Sequence, residues 1–373
     1  MGMTAIERAV LALLAAAVVA LAVWLVGERR ERLRALATTT AVLTFGLIVL
    51  GAFVRLSDAG LGCPDWPGCY GEFTPALARD SIETAAAQAP HGPVSMHKAW
   101  KEMVHRYLAM FVGCLILAAA ISATRQRRQG GAPVAHTWLL VGVVVFQAVL
   151  GAWTVTWLLK PAIVTLHLLG GMTTLALLVW LALRLRAKSG ESAQPWMSLR
   201  APAALALAAL VLQLALGGWV STNYAAAACG ELPACQGELL PPTDFANGFH
   251  VLRELGKTAQ GANLPLPALT AIHLAHRGFA LVVLALFVWL IVRAWSVAGA
   301  RRYAWGLIVA LTVQVSLGLK VVWSMSNAHL DLGLQLPAAA AHNAVAAALL
   351  VLTLLISFAA LYGSTGSNGS TKP

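Results

Sequence analysis

Charge is what this sequence has least of. Only 11% of its 373 residues are Asp, Glu, Lys or Arg, against about 25% in an ordinary soluble domain. With 59% of residues apolar, that scarcity excludes a soluble globular enzyme and a disordered chain. Five cysteines do not make a disulfide-rich secreted scaffold. There is no phosphate-binding glycine loop, no HExxH, no serine-nucleophile elbow and no CxxCH. No basic run is interleaved with aromatics, so the net charge of +11 does not point to nucleic acid. In an apolar chain a basic excess first reports orientation.

What remains is a polytopic membrane protein. Nine stretches have the roughly 20 apolar residues that cross a bilayer as a helix: about 5–26, 37–56, 98–122, 134–157, 162–183, 201–222, 267–292, 303–324 and 337–361. The first is followed by its basic cluster, which is the reverse of a cleaved signal peptide, so it is expected to be an uncleaved anchor. Arg29, Arg30, Arg32, Arg34, Arg125, Arg127, Arg128, Arg184, Arg186, Lys188, Arg200, Arg293, Arg301 and Arg302 fall on alternate connections. The acids, among them Asp58, Asp65, Glu72, Glu231, Glu238, Asp244 and Asp331, fall mostly on the others. The positive-inside rule then places the N-terminus outside and the C-terminus in the cytoplasm, as nine spans require. Two large connections, 57–97 and 223–266, face outside as caps. The tail from 363 to 373 is low-complexity and expected to be disordered.

Without the anchor, the other spans divide into two fours that read alike. Leu50-Gly51 precedes Cys63 and Cys69; Leu216-Gly217 precedes Cys229 and Cys235. Glycine to first cysteine is 12 residues in both, and both pairs are C-x5-C. His105-Arg106 matches His276-Arg277, Gln147 and Gly151 match Gln314 and Gly318, and His167 matches His342. Even-numbered halves share one orientation, so an axis along the membrane normal should relate them. The expected fold is therefore all-α: two tandem four-helix bundles related by a pseudo-two-fold, plus the anchor. The expected divisions are 1–34 (anchor and basic loop), 35–190, 191–362 and the tail.

Four histidines lie within spans: His105, His167, His276 and His342. Ionisable residues there are costly and mark function by default. They begin about 5–9 residues past the outer helix ends, roughly 7–14 Å deep at 1.5 Å per residue. Each half supplies two, from its second and fourth helices. Such a set can clamp a flat macrocycle in a bundle, with one imidazole on each face of an iron. Without CxxCH, a haem held there is non-covalent. A helix–helix hydrogen bond is the plainer use of one buried histidine; two matched pairs favour haem.

Arg106 and Arg277 follow their histidines, and Arg55 stands at the outer end of its helix. Arginine binds carboxylates bidentately, and a haem carries two propionates; interfacial snorkelling is the alternative. Glu102 lies three residues before His105 on the same helix face, where a carboxylate can handle protons at a porphyrin edge. Its match in the second half is His273, so the halves differ where chemistry would be done. The alternative pairs Glu102 with Lys98 or Lys101 at the surface. The two cysteine pairs lie in outside loops, a side that permits disulfides. Loop staples, a redox-active pair above the first site and metal binding all stay open, the last weakened because neither pair is CxxC. Cys114, inside a span, is expected to pack. His91, His97, His136, His250, His273 and His329 are expected in loops or at rims, His97 and His329 near the haem mouth. The 13 tryptophans suit interfacial belts and packing.

The segment GAFVRLSDAGLGCPDWPGCYG (51–71) resembles a hallmark of the haem A synthase family. EMVHRYLA (102–109) resembles its catalytic helix; HLAHRGFA (273–280) and AAAAHNAV (338–345) resemble its second-half ligand helices. The resemblance spans about 37–362. It implies an oxidoreductase that converts the C8 methyl of haem O to a formyl group, making haem A for terminal oxidases. It implies that His276 and His342 hold a resident haem b, while His105 and His167 receive haem O and release haem A. Glu102 falls on the family's essential acidic residue, and Cys63 and Cys69 fall on its outer-loop disulfide. Implied partners are haem O synthase (protohaem farnesyltransferase), oxidase assembly factors, an unidentified electron acceptor and the lipid of a bacterial inner membrane, with an oligomer allowed. The anchor helix departs from the family core and resembles a proteobacterial variant.

Two rival readings stand beside it. A di-haem b-type cytochrome, acting as a quinone or ferric reductase, also needs matched bis-histidine sites, but not Glu102 in one half only. A transporter with parallel repeats should have broken helices and polar residues near the midplane; here they cluster towards the outer face.

Overall fold

A computed structural model describes residues 29–127, 133–186, 194–326 and 332–363. The expected anchor span at 5–26, Arg128, Lys188, His329, Asp331 and the tail beyond 363 fall outside these residues. The helices are α1 (Arg29–Leu56), α2 (Arg79–Gln88), α3 (Met96–Gln126), α4 (Val134–Thr156), α5 (Pro161–Arg186), α6 (Arg200–Thr222), α7 (Phe245–Gly248), α8 (Leu266–Trp295), α9 (Arg301–Ser326) and α10 (Leu332–Tyr362). Among the described residues eight helices, all but α2 and α7, are long and apolar enough to cross a membrane. They coincide with the second to ninth expected spans, extended by a few residues at most ends. The chain is a multi-pass, all-α membrane protein.

Local sequence sets where these helices begin. The Ser95 hydroxyl accepts from Lys98 N at 3.3 Å and caps α3, satisfying one of the amides that an N-terminus leaves unpaired. Pro161 opens α5, and α8 carries a proline in its first turn, where a missing N–H costs nothing and φ is already helical.

α1, α3, α4 and α5 pack in a ring, each against the next and α5 back against α1. α6, α8, α9 and α10 form a second ring in the same order. The rings meet along α1–α10, α5–α6 and α5–α10. The helices that meet carry buried small residues of the shared core: Ala37 and Ala41 on α1, Ala203 and Ala206 on α6, Ala346 and Ala347 on α10. Association of helices in lipid depends on such close approach. The outward faces stay apolar, with Val145 and Phe146 on α4, Leu281 and Val288 on α8, and Val309 and Leu319 on α9 exposed. Each would be destabilising in water by roughly 1.5–3 kcal/mol relative to burial; in a bilayer they meet hydrocarbon.

Three expectations need correction. Cys114 is exposed on α3 rather than packed; in a lipid-facing position a thiol has no core to fill. His273 is not a rim residue but is buried in α8, 5% exposed. His136 lies in the first turn of α4, with its Nε2 3.0 Å from Leu177 O, so it ties α4 to α5. His97, also assigned to a loop or rim, is exposed in the first turn of α3, while His91 and His250 are in loops as expected.

At the end of the bundle where α1 and α6 finish, the two rings touch through residues separated by one fixed interval. Arg55 Nη2 donates to Ser221 O at 2.8 Å, and Tyr224 Oη donates to Asp58 Oδ1 at 3.3 Å; each pair is 166 residues apart. The same interval separates Gly51 from Gly217 and Cys63 from Cys229. Arg55 also stacks on the Tyr224 ring, 4.2 Å from its centre.

Candidate haem-binding sites

α3 and α5 bring His105 and His167 together edge-on, with ring centres 6.4 Å apart and planes at 67°. Two imidazoles bonded to one metal through nitrogens at about 2 Å place their ring centres roughly 6 Å apart. The pair thus has the separation that a single iron needs. His167 Nδ1 is buried without a well-aligned hydrogen bond, and the Gln147 backbone is the polar group facing the ring. In the second half, His276 on α8 and His342 on α10 lie within electrostatic reach of each other. Both ring nitrogens of His342 meet Gln314: Nδ1 is 3.1 Å from its backbone carbonyl oxygen and Nε2 is 3.1 Å from its side-chain Nε2, so one residue of α9 fixes the ring.

Each of the four imidazoles rests on a glycine of the neighbouring helix. A Cβ on Gly51 would lie 3.0 Å from His105 Nε2, and on Gly151 3.5 Å from His167 Cε1. On Gly217 it would lie 3.0 Å from His276 Cε1, and on Gly318 3.2 Å from His342 Cε1. Glycine inside a helix is destabilising by roughly 0.5–1 kcal/mol relative to alanine. Four such glycines, one beneath each histidine, are accounted for by the room the rings require. The half-buried histidine pairs and these glycine cradles fit two haems, which His105 with His167 and His276 with His342 would hold.

Glu102 is buried, 5% exposed. Its Oε2 accepts from Cys63 N at 2.9 Å, and its Oε1 accepts from Arg106 Nη2 at 2.6 Å. The alternative pairings with Lys98 and Lys101 are absent: Lys98 is paired with Asp58 at 3.1 Å, and Lys101 lies over the Phe53 ring. The guanidinium of Arg106 also donates to the carbonyls of Asp65, Pro67 and Gly68. In the second half, His273 and Arg277 repeat the arrangement with an imidazole in place of the carboxylate. Arg277 Nε lies 3.1 Å from His273 Nε2, and its other nitrogens donate to the carbonyls of Cys229 and Ala234. Both arginines are therefore engaged with loop backbone, not turned to open space as propionate binding alone would have them. Arg55 differs: its Nε is buried with no partner.

The loops above the two histidine pairs share one construction. Cys63 joins Cys69 and Cys229 joins Cys235, with Cα atoms 4.9 and 4.7 Å apart. Each loop contains a cis proline bond, Trp66-Pro67 or Leu232-Pro233, and closes on a bridge, Cys69 with Glu72 or Cys235 with Glu238. Asp65 accepts from the N–H groups of Tyr70 and Gly71, and Glu231 from that of Gly237. The glycines have φ of 78° and 80°, a region costly for other residues. From sequence Asp65, Glu231, Glu72 and Glu238 counted only as acids of the outer connections and Gly71 and Gly237 not at all, although the constant interval of 166 pairs them. Gln213 was missed as well: its Nε2 is 3.1 Å from His276 Nδ1.

The COX15-CtaA pattern of cytochrome oxidase assembly proteins matches residues 34–354. The chain belongs to this family. It is similar to a haem A synthase of Shewanella oneidensis, 38% identical over 317 residues that cover 85% of this chain and 92% of that protein. Haem A synthases of Novosphingobium aromaticivorans (31% over 322 residues, 76% and 84%) and Rhizorhabdus wittichii (28% over 340 residues, 84% and 90%) are also similar. As a COX15-CtaA member, the chain has its matched region ending within α10, so all four histidines and both cysteine pairs lie inside it.

Proposed function

We propose that this chain is a haem A synthase, an oxidoreductase that converts the C8 methyl of haem O to the formyl group of haem A for terminal oxidases. The observation that carries the reading is the pair of matched bis-histidine sites with a carboxylate, Glu102, beside only one of them. A di-haem electron carrier needs the symmetry but not that difference. The halves 35–190 and 191–362 are read as repeats about the membrane normal. The repeated ring order and the contacts between residues 166 apart support this.

In this reading the second half, through His276 and His342, holds a resident haem b, and the first half, through His105 and His167, receives haem O. The resident haem supplies a one-electron acceptor when bound. Glu102 takes up protons lost from the methyl group; the nearest donors to it, Arg106 and the Cys63 amide, hold the carboxylate in place. Cys63 and Cys69 form the loop that contains this amide, which ties their covalent state to the position of Glu102. Arg55, with an unsatisfied buried Nε, is suited to a propionate. The protein is placed in a bacterial inner membrane with both disulfide loops outside, and its partners are haem O synthase, oxidase assembly factors and an electron acceptor of undefined identity.

Chromatography of haems extracted from a host that makes haem O, with and without this chain, tests the activity. Haem A should appear only with the chain; haem O alone in both would overturn the reading.

A further inference from the structure

One half-buried side chain beside the second histidine pair has no counterpart in the first. Gln213 stands on α6, one turn before Gly217. Its Nε2 is 3.1 Å from both His276 Nδ1 and the His276 carbonyl oxygen, while its Oε1 is buried without a partner. The interval of 166 puts Leu47, one turn before Gly51, at the matching place, packed among apolar residues. Around the histidines, the glycines match and Gln147 matches Gln314. Three differences in kind stand beside them: Glu102 against His273, Leu168 against Asn343, and Leu47 against Gln213; of the three, Gln213 is the one whose side chain contacts a ring nitrogen of its histidine pair from a helix that carries no histidine of that pair.

An imidazole that gives one ring nitrogen to iron keeps its proton on the other and donates it. Leu47 has nothing to accept it. Gln213 has an orphaned acceptor, and a buried acceptor without a donor is destabilising. A half-turn of the amide exchanges oxygen and nitrogen, two groups of nearly equal size. It brings Oε1 to His276 Nδ1 in exchange for the Nε2 donation to the His276 carbonyl, so the orphan gains its donor when the ring is bound through Nε2. His342 already has its acceptor in Gln314 O.

We infer that Gln213 is a positioning residue that locks the His276 ring and makes the second site retain its haem, while Leu47 leaves the first site exchangeable. This rests on the two-site reading above. A site that takes in haem O and releases haem A must let go of its ligand; a resident electron acceptor must not.

The test uses the full-length protein purified with its haem, in Gln213→Leu, Gln213→Met and Leu47→Gln forms. Methionine keeps the length of glutamine without its hydrogen bonds. Haem transfer to excess apomyoglobin gives the loss rate, and a spectroscopic redox titration gives the midpoint potential. Both Gln213 variants should lose b-type haem about 10-fold faster, the scale of supporting interactions at metal sites. Their midpoint should move upward, because an imidazole that no longer donates is a weaker electron donor to iron. Leu47→Gln should slow haem loss from the first site. A merely structural role for Gln213 would alter thermal unfolding but not the midpoint. Unchanged loss rate and midpoint in both Gln213 variants, with His276→Ala emptying the second site, would overturn the inference alone. A b-type haem that survives His276→Ala would overturn the two-site reading and the inference with it.

Discussion

Glu102 accepts from Arg106 and from Cys63 N, so it is a placed carboxylate rather than a mobile one. Glutamine at 102 keeps its size and its acceptor oxygen but cannot ionise. Glu102→Gln should fold and retain the b-type spectrum, yet produce at least about 100-fold less haem A, the scale of a lost general base; extracted haems would show haem O or a hydroxylated intermediate. Near-normal haem A would remove Glu102 from the chemistry. Arg106→Ala is expected to behave differently. It leaves a buried carboxylate unpaired, a loss of roughly 3–5 kcal/mol, and frees the carbonyls of Asp65, Pro67 and Gly68. Its unfolding temperature should fall and its first loop should become accessible to protease, whereas Glu102→Gln should change neither much.

Between elements, the distance from helix to helix is set by glycine. Alanine at 51 or 217 would place a Cβ 3.0 Å from a ring atom of His105 or His276, while alanine at 151 meets His167 at 3.5 Å, an ordinary contact. Gly51→Ala should therefore reduce haem O conversion and Gly217→Ala should reduce bound b-type haem, with Gly151→Ala the mildest of the three; haem content per polypeptide is the measurement. The first loop is fastened several times over, by Arg106, by Asp65 and by the Cys69–Glu72 bridge. Closing so small a ring gives only modest entropic stabilisation. The Cys63→Ser, Cys69→Ser double variant should therefore unfold at nearly the same temperature as the parent but turn over more slowly. Full activity would reduce the disulfide to a staple.

For the whole molecule, direction in the membrane and division of labour are the two expectations. Reporter fusions within 57–97 and 223–266 should be active outside and fusions at the C-terminus inside, because basic residues gather at the other helix ends. A cytoplasmic location for either loop would invert the outer-leaflet depth assigned to all four histidines. His276→Ala and His342→Ala should deplete the b-type spectrum, while His105→Ala and His167→Ala should leave most of it and abolish haem A. Equal loss in all four would favour a di-haem carrier.

The order and length of the eight described spans were legible in the sequence because a bilayer reads composition over about 20 residues, and most of the eight described apolar runs begin and end close to charge or proline. The histidine pairs were legible because buried ionisable groups are scarce and these recur in register. Their partners were not. Hydrogen bonds such as Glu102 to Cys63 N, Arg106 to loop carbonyls and Gln213 to His276 join residues 39, 38 and 63 positions apart, and no local pattern encodes such a meeting. The lysines nearest Glu102 in sequence offered a pairing that the fold did not adopt, since burial of the carboxylate selects the guanidinium one turn further in. Sequence determined which residues lie in lipid and which are doubled; the packing of two rings of helices decided which of them touch.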